Sequence, residues 1–203
     1  MARDFLKTAR FGAISYNATS SHGDRCIGVA ALLRCPVSRL TDFYRCETTD
    51  IEGRRIEEIW GWSDDELEVV HDFAQWLFPL PEPSMYNPDA PRLSREDIAI
   101  FREDPTLQAN VRKSLERILT FLGLVMTGSQ VVEGPNFSER AAVVWHAPNH
   151  NWLRVTRILR SLMLLGLEQE AGALFRWLDA TYSSRRYPIT AETFAYWSEA
   201  VGR

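Results

Sequence analysis

A mostly α, single compact multi-helix domain with one small β-hairpin is the fold class that the sequence predicts. Three observations carry it. Apolar residues recur at helical spacing in most segments from Ser38 onward, several of those segments open on Ser or Thr caps, and only one short stretch reads as a pair of strands. The 203 residues suffice for one well-buried core and are few for two full domains. Residues 1–37 read as an irregular N-terminal arm packing on the core, and residues 38–203 as the helical domain.

Within the arm, "FLKTARFGAI" is compatible with a short helix, and "SYNATSSHGD" (15–24) is a turn-rich surface loop. "SRLTDFYRCE" opens a helix on Ser38, with Leu40, Phe43 and Tyr44 as its apolar face. "RRIEEIWGW" is a short helix stopped by Gly61. "SDDELEVVHDFAQWLFP" reads as one helix from Ser63 to Pro79. Ser63 and Glu66 form a capping box, and Asp64 and Asp65 suit the positive end of the dipole. "LPEPSMYNPDAP", with Pro81, Pro83, Pro88 and Pro91, must be an extended loop. Covering the core or serving as a binding loop are its two uses.

"SREDIAIFREDP" repeats the capping signature with Ser94 and Asp97. Pro105 opens the next helix, which aligns Leu107, Val111, Leu115, Ile118 and Leu122 and ends at Gly123. "GLVMTGSQVVEG" is the hairpin, two apolar arms around "TGS", stable only if packed on helices. "NFSERAAVVW", "HNWLRVTRILRSLMLL", "EQEAGALFRWLDATY" and "AETFAYWSEAV" complete the helices. Gly166 ends the second of them and Thr190 caps the last.

Composition bounds the function. The formal net charge is -4, with basic residues interleaved among acids, which argues against a nucleic-acid partner. The compact basic spot "YSSRRYP" is a solvated turn. Cys26, Cys35 and Cys46 lack CxxC spacing, so neither a zinc site nor a disulfide framework is expected. The apolar run "IGVAALL" falls far short of the ~20 residues that span a bilayer. A cytoplasmic protein, nuclear if the source is eukaryotic, is the expectation.

The chemistry concentrates on the helix that begins at His150. At about 100° per residue, apolar side chains occupy nearly all of its circumference. Between them runs a narrow stripe of Arg157, His150, Ser161 and Arg154. A helix so apolar is generally buried. Arginine stays charged, so these two must be neutralised by a partner. Internal carboxylates are one answer, with Glu47, Asp72, Glu116 and Glu139 as candidates. The other is a ligand carboxylate or phosphate in a cavity, which the fork of guanidinium donors matches. On the Ser63 helix, His71 and Gln75 lie at the border of the apolar arc. If the two helices face each other, His71, Gln75, His150, Asn151, Arg154, Arg157 and Ser161 line one polar pocket.

Other chemistry is weak. His146 and His150 are four apart, but Pro148 and the missing Glu exclude HExxH, and no metal site or cofactor is expected. No phosphate-binding Gly loop or GxSxG nucleophile is present.

"FYR" (43–45), "HDFAQWLFPL" (71–80), "NFSER" (136–140) and "HNWLRVTRILRSLMLLG" (150–166) resemble the signature blocks of the opioid growth factor receptor family, in order and approximate spacing. The resemblance spans roughly residues 38–182. It implies the family's shared helical domain. Vertebrate members are described as nuclear-associated receptors for an enkephalin peptide that restrain proliferation. Their long C-terminal repeat extension is missing from this sequence, so a short, stand-alone member is the expectation. The resemblance supplies no catalytic residues.

Three functional readings stand beside one another. The first is a binding domain whose cationic His/Arg pocket takes a small anionic molecule or a peptide carboxylate. The second is an enzyme of small-molecule metabolism, with His71 or His150 as general acid or base and Arg154 and Arg157 orienting an anionic substrate. The third is a scaffold docking a protein partner through its aromatic and Pro-rich surface around "LPEPSMYNP".

Overall fold

A computed structural model describes residues 38–84 and 87–203. The expected arm, its helix and loop, the run "IGVAALL", and Cys26 and Cys35 lie outside the described residues.

Ten helices and one hairpin follow in order: α1 (Arg39–Tyr44), α2 (Ile56–Gly61), α3 (Asp64–Val69), α4 (Phe73–Leu77), α5 (Arg95–Glu103), α6 (Pro105–Phe121), β1 (Leu124–Thr127), β2 (Gln130–Glu133), α7 (Phe137–Val144), α8 (His150–Leu164), α9 (Glu168–Ser183) and α10 (Ala191–Ala200). Caps start them where the sequence puts them. The hydroxyls of Ser38, Ser63, Ser94 and Thr190 accept from backbone N–H groups of the first turn, and Asp104 does so ahead of Pro105. The hairpin is antiparallel, in the register Leu124↔Glu133 to Thr127↔Gln130, with Gly128–Ser129 as its turn. It packs between α6 and α9.

One expected helix is two. The stretch from Ser63 to Pro79 breaks after Val69, and Val70 is extended at φ -83°, ψ 131°. His71 lies in the break rather than on a helix, and Gln75 belongs to the second piece, α4. Helical periodicity across positions 67–78 therefore misplaces His71. Two adjacent β-branched residues, Val69 and Val70, weaken the helix at that point. What fixes the break is the arginine described below.

The core is aromatic and continuous. Phe43 lies 5.0 Å from Trp76, Tyr44 lies 4.9 Å from Phe101, and Trp145 lies 5.0 Å from Trp177, centroid to centroid. Buried indoles need a hydrogen-bond acceptor. Trp145 donates to Leu122 O, Trp152 to Val144 O and Trp197 to Trp152 O. No helix among the described residues is long and apolar enough to cross a membrane.

Five of these helices have eight residues or fewer and could not persist alone in water. Each leaves C-terminal carbonyls without an intrahelical donor. Side chains from other segments close them. Asn110 donates to Tyr44 O after α1, and Arg117 to Trp62 O after α2. Tyr44 donates to Leu77 O in α4. At the end of α6, Asn136, Arg140 and Trp145 donate to the carbonyls of Thr120, Phe121 and Leu122. At the end of α8, Arg102 donates to Met163 O and Leu164 O, and Gln108 to Leu165 O. Cationic donors are favoured there because the dipole concentrates negative charge at a helix C-terminus.

Candidate functional site

The polar stripe of α8 meets the segment from Leu67 to Pro79, and it meets backbone. Arg154 donates through Nη1 to Leu67 O (2.8 Å) and Asn151 Oδ1 (2.9 Å), and through Nη2 to Val70 O (2.8 Å). One turn on, Arg157 donates to Phe78 O at 3.1 Å. Ser161 donates to Pro79 O at 3.0 Å. Three positions at helical spacing thus fasten the ends of α3 and α4 to one face of α8.

None of Glu47, Asp72, Glu116 and Glu139 pairs with these arginines. Asp72 is held by Arg54 at 2.6 Å, and the other three are exposed. Burial pushes both guanidiniums down to about 10, offset by Glu68 for Arg154 and by Glu82 for Arg157. Both remain cations at neutral pH. Neutralisation comes from carbonyl dipoles at two helix ends, with a carboxylate nearby but not in contact. The void beside Arg154, lined by Phe73, Phe78 and Phe121 among others, is about 10 Å³. That is the size of a single water and excludes a ligand. Arg154 also sits over the ring of Phe73, 5.2 Å from its centroid.

The stripe has two ends. At the lower end, Arg157 and Ser161 face the 78–79 carbonyls, and Gln75 lies 3.5 Å from Ser84 Oγ. At the upper end, His150, Asn151 and Arg154 gather with His71. The imidazoles of His71 and His150 are 4.8 Å apart, centroid to centroid. His71 Nδ1 is 2.7 Å from Val69 O, which ties the ring to the break between α3 and α4. The expected residues are therefore divided between two places along α8.

Four residues at the upper end escaped the helical-wheel reading: Asp64, Glu68, Arg117 and Arg140. Asn151 donates to Glu68 at 3.1 Å, and His150 Nε2 lies 3.3 Å from Glu68 Oε1 without the alignment of a hydrogen bond. Arg117 pairs with Asp64 at 2.8 Å. Arg140, with 6% of its side chain exposed, is 3.6 Å from Asp64 and 3.8 Å from Glu68. A signal for Arg140 was present, since it stands with Phe137, Ala141 and Val144 on the buried face of α7.

The electrostatics of this cluster are lopsided. Arg117, Arg140 and Arg154 face the two carboxylates of Asp64 and Glu68. Arg117 Nη1, Arg140 Nη2 and His150 Nε2 are shielded from solvent and have no hydrogen-bond partner. Burial lowers the His150 pKa, Arg154 and His71 lower it further, and Glu68 opposes them. A neutral imidazole beside a carboxylate can accept or relay a proton near neutral pH. Among the described residues no group of three or more His, Cys, Asp or Glu is arranged to hold a metal ion.

Fold and cluster define a class: a mostly α domain whose short helices are locked at their C-termini by arginines and amides from their neighbours. The profile of the opioid growth factor receptor conserved region matches residues 40–202, and the chain belongs to this family. It is 36% identical to the human opioid growth factor receptor over 156 residues, which is 72% of this chain and 22% of that protein. The mouse receptor is 35% identical over 149 residues, 70% of this chain and 23% of that protein. Opioid growth factor receptor-like protein 1 of Xenopus tropicalis is 34% identical over 122 residues, 58% of this chain and 23% of that protein. The chain thus spans about a quarter of the length of the curated relatives it matches. No solved structure matches.

Proposed function

We propose that the domain is a binding module that captures an anionic group, the carboxylate or phosphate of a small molecule or peptide, at the His71–His150 edge of the cluster. The observation that carries this reading is the set of three buried nitrogens without a hydrogen bond, Arg117 Nη1, Arg140 Nη2 and His150 Nε2, around only two carboxylates. Buried donors without acceptors each cost about 1–3 kcal/mol. An anion supplies acceptors and offsets the surplus positive charge. Asp64, Glu68 and His150 are about one-third exposed, so the cluster is open on that side. His71, Asn151 and Arg154 complete it, with Arg154 contributing charge while its Nη groups hold the α3 carbonyls. The relatives carry the name receptor, which agrees with a binding role.

Titrating the protein with inorganic phosphate and with acetate, while following the Hε1 resonances of His71 and His150, tests the reading. The expected result is a saturable shift and an upward move of the His150 titration. His71→Asn and His150→Asn should each weaken phosphate about tenfold or more at unchanged melting temperature. Shifts that never saturate and that chloride reproduces, or variants that bind as the parent does, would overturn it.

A further inference from the structure

A second cleft, remote from the cluster in charge character, lies between α6, the hairpin and α9. Its volume is about 420 Å³, within the ~300–1,000 Å³ of small-molecule sites. Met126 of β1 presents the half-buried apolar surface of its floor, over the almost fully buried Leu115 and Leu119 of α6 and Ala173 of α9. Met126, half-buried and flexible, can adapt to a guest. At the mouth, Gly128 has φ +58°, and a Cβ built there meets nothing within 4 Å, so the turn leaves the entrance clear. Arg176 donates to Ser129 O at 2.9 Å and holds that turn against α9.

Three charges stand on the rim: Arg112, Glu116 and Glu170. Arg112 donates to Glu170 at 2.7 Å, and these two cancel. The carboxylate of Glu116 has no hydrogen bond or ion pair among the described residues. Lys113, three positions earlier on α6, is drawn away over the ring of Trp60 at 4.1 Å. The cleft therefore joins an apolar floor to one uncompensated negative charge, and that field concentrates cations at its mouth.

We infer that this cleft is a binding site for an apolar small molecule carrying a single ammonium group, its body on Leu115, Leu119, Met126 and Ala173 and its ammonium at Glu116. The site is separate from the anion-binding cluster and selects the opposite charge.

Phenethylamine, 3-phenylpropionate and 2-phenylethanol are matched probes of one body with a cation, an anion or no charge. Methyl NMR of the full chain should show saturable shifts of Leu115, Leu119 and Met126 with phenethylamine. Phenylpropionate should bind roughly tenfold more weakly or worse. Glu116→Gln should erase the preference for the amine without moving the melting temperature. Glu139→Gln, an equal change of net charge at an exposed position of α7, should retain it. Absent methyl shifts, equal affinity for the three probes, or a preference that survives Glu116→Gln would overturn the assignment.

Discussion

The guanidinium of Arg154 lies 2.8 Å from the carbonyl of Leu67, and in that position it closes α3 from 87 residues away in the chain. The same group takes Val70 O, so α3 cannot continue into α4 without surrendering the bond. A helix of six residues is too short to hold itself. Its end is set by a cation on α8, and the break that carries His71 is a consequence. Repeated at α2, α4, α6 and α8, such bonds fix where helices end, in short ones and long ones alike.

Gly123 stands where α6 hands over to the hairpin. Its φ is +81°, and a Cβ there would lie 3.0 Å from Phe137 Cα and 3.0 Å from Arg140 Cβ. Backbone cannot yield as a side-chain end can. Gly123→Ala should therefore cost about 3 kcal/mol, combining the left-handed conformation with displacement of α7. Gly128→Ala, also at positive φ but in open space, should cost about 1 kcal/mol. Urea denaturation of the two variants checks the order; equal costs would show that α7 does not pack tightly against this turn.

His150 makes stability depend on pH. Its folded pKa lies below the unfolded value of about 6.5, so the unfolded chain binds the proton more readily. Stability tied to this residue is complete above the unfolded pKa. It declines as pH falls from there through the folded pKa. Melting temperature should drop across that interval, and His150→Asn should flatten the drop. An Hε1 titration midpoint at or above that of a free histidine would contradict the sign.

Much of this architecture was legible because it rests on local chemistry. Ser38, Ser63, Ser94 and Thr190 cap within three residues, and the Gly123 and Gly166 stops follow from positive φ. The hairpin was legible from its turn and paired apolar arms. The split at Val70 was not, since its cause is Arg154, distant in sequence. The sequence also showed that Arg154 and Arg157 need neutralising partners, and it pointed to Asp and Glu as the internal ones. The partners are main-chain carbonyls, which every residue carries and no residue type marks. For the same reason Arg140 reads as an odd cation among apolar neighbours until Phe121 O is placed beside it at 2.7 Å.

Arg154→Met is the most direct test of whether α8 holds the α3–α4 segment through backbone carbonyls. Methionine keeps an apolar stem of similar length and removes every donor. Leu67 O, Val70 O and Asn151 Oδ1 would each lose a partner, and urea denaturation should show a loss of about 3 kcal/mol, with amide exchange accelerated over residues 64–72. Stability within about 0.5 kcal/mol of the parent, with unchanged exchange there, would contradict it and return Arg154 to the role of a ligand-facing charge.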